Sequence, residues 1–231
     1  MGNLRDIQKV AIEAIKQKFS LEPVSLKYPF PERPARTLGL FKVEGEVFSS
    51  EKFSRLVFFR LKAPAYLSVY SIFLRPRMEY DLPVFSTEAV FTGSKRMVLI
   101  DIHRTGDADS YDDSALFDTL LNIKKKYPGL IEKSVQQEGE IQNVFSKAAC
   151  QVKITEDLEN DALSLFHEYL DVFLKLVEKA EPLSGDALDK TKEAFETYLK
   201  TVVDHDPGFK GYKMLFGKPG VTRALDIFFG R

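Results

Sequence analysis

The amino-acid sequence predicts a three-layer α/β/α sandwich in which helices flank a central, mostly antiparallel sheet. The middle of the chain contains short segments rich in Val, Ile, Phe and Tyr, which follow one another too closely to be joined by crossover helices. Segments with helical spacing of apolar residues occur before and after this region. Because no change in composition or linker divides the chain, we expect one domain over residues 1–231.

The first half of the chain is expected to supply one helix and most of the sheet. Apolar residues recur at helical spacing from Asn3 to Phe19. Residues 22–36 contain four prolines, which is typical of an extended connection. The predicted strands span about 37–49, 52–62, 66–75, 83–91 and 96–103.

The second half is expected to supply the remaining helices. Residues 104–115 are acidic and small and are predicted to form a solvated loop, because their D-x-D-x-x-D-D pattern lacks the glutamate that completes a calcium-binding loop. A helix is predicted at 115–126, and one more strand is predicted within 146–154. A long amphipathic helix at 156–180 and two or three further helices, interrupted at 217–220, complete the chain.

The composition narrows the functional class. A formal net charge of −1 gives no general case for a nucleic-acid or anionic-membrane partner. The single cysteine, Cys150, excludes a disulfide framework and is expected to be a small buried side chain. No stretch approaches the roughly 18 apolar residues of a membrane span. We therefore expect a soluble intracellular protein. We also predict a monomer, located in the cytoplasm, or in the plastid stroma if the source is eukaryotic.

Charged residues stand inside two of the predicted strands, where apolar residues are usual. If residues 93–94 form a two-residue turn, the following strand pairs with the preceding one so that Ser86, Glu88, Asp101 and His103 project from the same face. The opposite face is largely apolar and should meet a helix layer. Its members are Phe85, Thr87, Phe91, Val98, Ile100 and Ile102.

The polar face allows two interpretations. It either faces solvent, as in many antiparallel sheets, or lines a pocket. Apolar residues stand among the polar ones on this face, which favours a pocket; they are Val84, Val90, Met97 and Leu99. A carboxylate among such neighbours would have a raised pKa and could donate a proton near neutral pH.

Two segments carry a resemblance to a known family. The tail DHDPGFKGYKMLFGKPGVTRALDIFFG, residues 204–230, resembles the C-terminus of the ferredoxin-dependent bilin reductases. The strand LPVFSTE, residues 82–88, is similar to that family's Leu-Pro-x-Phe-x-x-Asp segment, whose acid protonates the bilin. The resemblance places Glu88 on that acid and Asp206 on a second functional aspartate. Ser71 falls where some members carry a substrate-contacting His or Asn.

Two departures from the family's pattern refine the expectation. Ser71 cannot donate a proton as a histidine does, which argues against a four-electron phycocyanobilin-type enzyme. Glu88 in place of Asp is similar to the red chlorophyll catabolite reductase branch, which uses a Glu and an Asp as its acidic pair.

The resemblance implies ferredoxin-dependent reduction of a double bond in an open-chain tetrapyrrole, either a biliverdin-type bilin or a red chlorophyll catabolite. Glu88 and Asp206 are the expected proton donors. The expected substrate-binding residues are Ser71, Ser86, Asp101 and His103. Reduced ferredoxin would deliver electrons singly, with no flavin, nicotinamide or metal bound in the protein.

The expected ferredoxin docking site is the C-terminal region, where five cations and one acid stand between 207 and 231. Lys210, Lys213 and Lys218 are its proposed contacts, and residues 124–126, three consecutive lysines, are the next candidate. Two alternatives remain open at this stage: a bilin-binding or carrier protein without the chemistry, and an unrelated α/β/α enzyme in which Glu88 is structural.

Overall fold

A computed structural model of the chain describes residues 3–63, 67–103, 105, 113–136 and 139–231. Within these residues, seven strands form one sheet in which each strand pairs antiparallel with the next strand along the chain. The strands are β1 (Glu22–Pro23), β2 (Lys42–Ser49), β3 (Phe53–Ala63), β4 (Leu67–Pro76), β5 (Val84–Thr92), β6 (Lys95–His103) and β7 (Cys150–Ile154).

Helices cover both faces of this sheet, so the predicted three-layer α/β/α architecture is confirmed. They are α1 (Ile7–Lys16), α2 (Asp113–Lys124), α3 (Pro128–Glu132), α4 (Glu159–Lys179), α5 (Gly185–His205), α6 (Pro207–Phe216) and α7 (Pro219–Ala224), and a π-helical turn, Leu225–Phe229, follows. One hydrophobic core contains buried residues of α1, α2 and α4. A second core, on the other face of the sheet, contains residues of α5, α6, α7 and the π-helical turn.

The predicted strands are present with shifted ends. The largest shift is at the first, which begins at Lys42 rather than near 37, because 35–37 form a 3₁₀ turn and Leu38 adopts a left-handed backbone conformation. The proline-rich connection contributes β1 and one bridge, between Glu32 and Val43. The break before the last helix is confirmed at Gly217, whose φ of 73° ends α6.

The acidic loop predicted at 104–115 lies mostly outside the described residues. The helix predicted at 115–126 is α2, and the strand predicted within 146–154 is β7. Cys150, which begins β7, is buried, and burial raises the pKa of its thiol to about 11. No helix in the described part of the chain is both long enough and apolar enough to cross a bilayer.

The β5–β6 hairpin has the register that the sequence predicts. Thr92 pairs with Lys95 across a turn in which Gly93 has φ 58°, a conformation that glycine adopts without steric strain. The apolar face of the hairpin packs on α4, where the Phe85 ring lies 5.9 Å from that of Phe166 and 5.4 Å from that of Phe173, between ring centroids. This packing fixes which face of β5 points away from α4, towards α5 and α6.

Candidate functional site

A cavity of about 310 Å³ lies between the sheet and the helices of the second core. Its floor includes one row of residues that are direct neighbours across five strands: Phe59, Ser71, Glu88, Leu99 and Gln151. Its opposite wall comes from α5, α6 and the C-terminal turn, and includes Tyr198, Val202, Asp206, Phe209, Tyr212, Leu215, Phe228 and Phe229. The polar face of the hairpin is therefore covered by helices, and the pocket interpretation is confirmed over the solvent-facing one.

Glu88 stands at the centre of the row, between Ser71 on β4 and Leu99 on β6. Its side chain is half-buried and lines the cavity. Burial, and to a smaller extent the negative charge of Asp206, raises the pKa of Glu88 to about 7. A carboxyl group in this position therefore retains its proton in a substantial fraction of molecules at neutral pH.

Asp206 occupies the junction between α5 and α6 and also lines the cavity. Its Oδ1 accepts a hydrogen bond of 2.6 Å from the backbone N–H of Gly208, so that it caps α6, and Pro207 follows at the first helical position. Burial raises the pKa of Asp206, although the backbone donors Gly208 and Phe209 and the charge of Lys210 act in the opposite direction. Asp206 thus combines a capping role with a place in the cavity.

His103, the last residue of β6, lines the cavity and is 6% exposed. Its Nδ1 lies 2.9 Å from the hydroxyl of Tyr198 on α5. Burial lowers the pKa of His103 to about 3, so the imidazole is uncharged at neutral pH. The ring of Phe145 lies 5.4 Å from the imidazole, between ring centroids, and belongs to the same cavity wall.

The remaining predicted contacts divide into two groups. Ser71 and Ser86 line the cavity as expected. Asp101 does not, although it pairs with Ser86 on the predicted face. It is fully buried, and both carboxylate oxygens accept hydrogen bonds from Ser146, at 2.9 Å from the backbone N–H and 2.5 Å from the hydroxyl.

Asp101 has a protein partner in place of the substrate contact predicted for it. Its carboxylate turns towards the segment before β7 and holds it, since Ser146 satisfies both oxygens. Burial nevertheless raises the pKa of Asp101 to about 7. The sequence shows which face Asp101 occupies but not which neighbour its carboxylate binds.

The cavity wall also contains residues that were not predicted from the sequence, among them Phe145, Gln151, Tyr198 and Tyr212. One signal was available for Tyr198, because it lies on α5 eight residues, or about two helical turns, before Asp206. The others reach the cavity through packing between distant segments, which sequence spacing does not encode.

The cavity wall carries acids but no Lys or Arg among the described residues that form it. Basic side chains lie outside it, on the outer face of the C-terminal helices. Lys210, Lys213 and Lys218 are exposed, and the described part of the chain offers them no ion pair. The other two cations of this region are paired, Arg223 with Glu32 and Arg231 with Glu196.

Among the described residues, no group of three or more His, Cys, Asp or Glu side chains is arranged to hold a metal ion. The polar groups of the cavity are instead two carboxyl groups, an uncharged imidazole, hydroxyl groups and an amide, set among aromatic rings. Such a lining fits an extended, unsaturated organic ligand that receives protons.

Comparison with known proteins agrees with this chemistry. The sequence profile of the family described as ferredoxin-dependent bilin reductase matches residues 8–225. The phycoerythrobilin:ferredoxin oxidoreductase of Gloeobacter violaceus (strain ATCC 29082 / PCC 7421) is 23% identical over 215 residues, which cover 90% of this chain and 86% of that protein. The enzyme of the same name from Prochlorococcus marinus (strain MIT 9312) is 21% identical over 164 residues, which cover 68% of this chain but only 64% of the relative.

The fold comparison gives the same result. The structure of phytochromobilin synthase from tomato, solved in complex with biliverdin, superposes with a TM-score of 0.84 at 19% identity, over 98% of this chain and 83% of that one. At this identity the likeness shows a shared fold. The family match covers nearly all of the chain, and the chain therefore belongs to the ferredoxin-dependent bilin reductase family and is an oxidoreductase.

Proposed function

We propose that this protein reduces one double bond of a biliverdin-type linear tetrapyrrole, which binds in the cavity between the sheet and α5–α6. The observation that carries the proposal is that two carboxyl groups with raised pKa values, Glu88 and Asp206, line a single cavity in a member of this family. Relatives named for a bilin, and a fold neighbour solved with biliverdin, support a bilin over a chlorophyll catabolite.

The reaction consumes two electrons and two protons for each double bond. Reduced ferredoxin donates the electrons one at a time and is itself oxidised, so the pigment passes through a radical after the first electron. Glu88 supplies one proton to the pigment and Asp206 the other. The two resulting carboxylates repel each other across a poorly solvated cavity, which favours their reprotonation from solvent before the next turnover.

The raised pKa of Glu88 is what makes this donation effective near neutral pH. A glutamate at its ordinary pKa of 4.5 would be almost fully ionised at pH 7 and would have no proton to give. At a pKa of about 7, close to half of the Glu88 side chains hold a proton at pH 7. Desolvation by the surrounding rings is therefore a functional feature of this site rather than a by-product of packing.

The outer face of α6 is the proposed docking surface for ferredoxin. Phe209 and Tyr212 of this helix point into the cavity, whereas Lys210 and Lys213 are exposed. A partner docked on the exposed face is separated from the pigment by the thickness of one helix, about 10 Å. Met214, which is 69% exposed, adds an apolar contact between the lysines of α6 and Lys218.

The alternative lysine cluster at 124–126 is less suited to docking. Lys124 donates a hydrogen bond to the carbonyl oxygen of Ala149, and Lys126 pairs with Glu168 on α4. Both contacts belong to the helix layer on the other face of the sheet from the cavity. A donor bound there would have the sheet between itself and the pigment.

The test is anaerobic incubation of the protein with biliverdin, followed by addition of reduced ferredoxin. A bound-pigment spectrum that changes on reduction, together with a product two hydrogens heavier by mass spectrometry, supports the proposal. A bound spectrum that stays constant would instead identify a bilin carrier. Absence of any bound pigment would refute a biliverdin-type substrate.

A further inference from the structure

His103 has one satisfied nitrogen and one unsatisfied nitrogen. Nδ1 lies 2.9 Å from the Tyr198 hydroxyl, while Nε2 is shielded from solvent and has no hydrogen-bond partner among the described residues. Unpartnered buried polar atoms are rare in native proteins and require an explanation. Because His103 lines the cavity, a bound ligand is a source of the missing partner.

The tautomer of His103 follows from the hydrogen bonds of Tyr198. The Tyr198 hydroxyl is buried, and its partner in the described structure is His103 Nδ1. If the hydroxyl donates to Nδ1, its hydrogen is satisfied and the imidazole proton resides on Nε2. If Nδ1 donated instead, both the hydroxyl hydrogen and the Nε2 lone pair would be buried without partners. Each arrangement leaves one donor and one acceptor without a partner, since the first leaves Nε2–H and a hydroxyl lone pair. A phenol hydroxyl is more acidic than an imidazole N–H, and an imidazole nitrogen is more basic than a phenol oxygen. The O–H···Nδ1 bond is therefore the stronger one, and the Nε2–H tautomer is favoured.

The chemistry of the cavity selects the kind of acceptor. An uncharged N–H donor binds either a carbonyl oxygen or a carboxylate. No Lys or Arg lines the cavity among the described residues, and Glu88 and Asp206 already place acids there. A substrate carboxylate buried beside His103 would have no compensating cation, which is strongly unfavourable. An uncharged carbonyl oxygen has no such requirement.

We propose that Tyr198 holds His103 as an uncharged Nε2–H donor, which binds a carbonyl oxygen of the substrate at the end of the cavity remote from Glu88. His103 is then a binding residue and Tyr198 a positioning residue that acts through it. The identity of the ligand as a linear tetrapyrrole, whose terminal rings carry lactam carbonyls, rests on the proposed function; the state of the His103–Tyr198 pair does not.

The position of His103 gives this contact a role in specificity. His103 pairs with Val84, four residues from Glu88 along β5, which corresponds to about 13 Å at the rise of an antiparallel strand. A carbonyl held at His103 therefore fixes which double bond of the pigment lies next to Glu88. Since Nε2 is covered in the ligand-free protein, the acceptor must displace a neighbouring group. Among the described residues, the rings of Phe145 and Tyr198 contact the imidazole. Phe145 is half-buried and Tyr198 is buried, so we expect Phe145 to move.

The pair can be tested without any pigment by NMR of protein labelled with ¹⁵N at histidine, in which His103→Gln assigns the signals. Wild-type His103 is expected to carry its proton on Nε2 and to remain uncharged from pH 5.5 to 8. Tyr198→Phe should convert it to a mixture of tautomers. Tyr169→Phe is the matched control, because the Tyr169 hydroxyl is buried elsewhere and bonds the carbonyl of Ala148. An Nδ1–H tautomer in the wild type, or no change in Tyr198→Phe, would overturn the assignment.

The acceptor is tested by binding of biliverdin and of biliverdin dimethyl ester, whose carboxylates are blocked. His103→Leu should weaken the binding of both pigments by about tenfold, the usual effect of one lost hydrogen bond. His103→Gln, which retains an N–H donor, should recover part of the affinity. A loss for biliverdin but not for the ester would show that His103 binds a carboxylate and would overturn the carbonyl assignment. Failure of the wild type to bind either pigment would refute the carbonyl contact together with the proposed function, while the NMR result would still decide the tautomer.

Discussion

Replacement of Glu88 by Gln removes one titratable group while it keeps the size and polarity of the side chain. The substitution should leave the fold and pigment binding largely intact, because glutamine fills the same place in the cavity floor. Reduction of the pigment should slow by about 10²–10⁴-fold, the usual effect of the loss of a positioned acid. Single-turnover kinetics with reduced ferredoxin, followed by absorbance, measure this effect.

The same substitution has a predictable effect on stability. A carboxyl group whose pKa is raised on folding binds its proton more tightly in the folded state, so the free energy of unfolding falls as the pH rises from about 4.5 towards 7. The difference between the two pKa values corresponds to at most roughly 3 kcal/mol of stability, at 1.36 kcal/mol per pH unit. About 2 kcal/mol of this stability is lost between pH 5.5 and pH 8. A glutamine at this position cannot ionise, so the variant is free of this loss.

Urea unfolding at the two pH values therefore distinguishes the variants. Between pH 5.5 and pH 8, the free energy of unfolding of Glu88→Gln should rise by about 2 kcal/mol relative to that of the wild type. Glu46→Gln, an exposed glutamate on β2, is the matched control and should show no such gain. If the stability advantage of Glu88→Gln did not grow with pH, burial would not hold the proton on Glu88. If the variant reduced the pigment at the wild-type rate, Glu88 would not be the proton donor.

Three further changes address the second acid, the docking surface and the core. Asp206→Asn should keep the cap on α6, because Asn is also a good N-cap. It should stop turnover at a partly reduced or radical intermediate, which electron paramagnetic resonance detects. Unchanged product and rate would mean that Asp206 only caps the helix. The triple reversal of Lys210, Lys213 and Lys218 to Glu should raise the Michaelis constant for ferredoxin and flatten the salt dependence of that constant, without a change in pigment affinity. If the triple variant used ferredoxin normally at low ionic strength, the docking site would lie elsewhere. Phe85→Ala should lower the free energy of unfolding by about 3–5 kcal/mol, since the ring is fully buried against Phe166 and Phe173. Urea titrations measure this loss, and a value below about 1 kcal/mol would contradict the packing.

The β5–β6 hairpin was predictable because its determinants are local. Gly93 permits the turn, the turn sets the register, and the two-residue period of a strand then assigns every side chain to a face. The face predicted for Ser86, Glu88 and His103 is the one that lines the cavity. Helices α1, α2 and α4 were likewise predictable from the sequence, whereas α3 was not predicted.

Tertiary structure decided what these side chains bind. Asp101 shares the face of Glu88, yet packing of the segment before β7 brings Ser146 onto its carboxylate and withdraws it from the cavity. His103 gains Tyr198 from a helix 95 residues later in the chain. The sequence alone determined which residues face the same side, because strand periodicity and turn geometry act over a few residues. Only the folded chain determined their partners and proton affinities, because hydrogen bonds and desolvation depend on which distant segments meet.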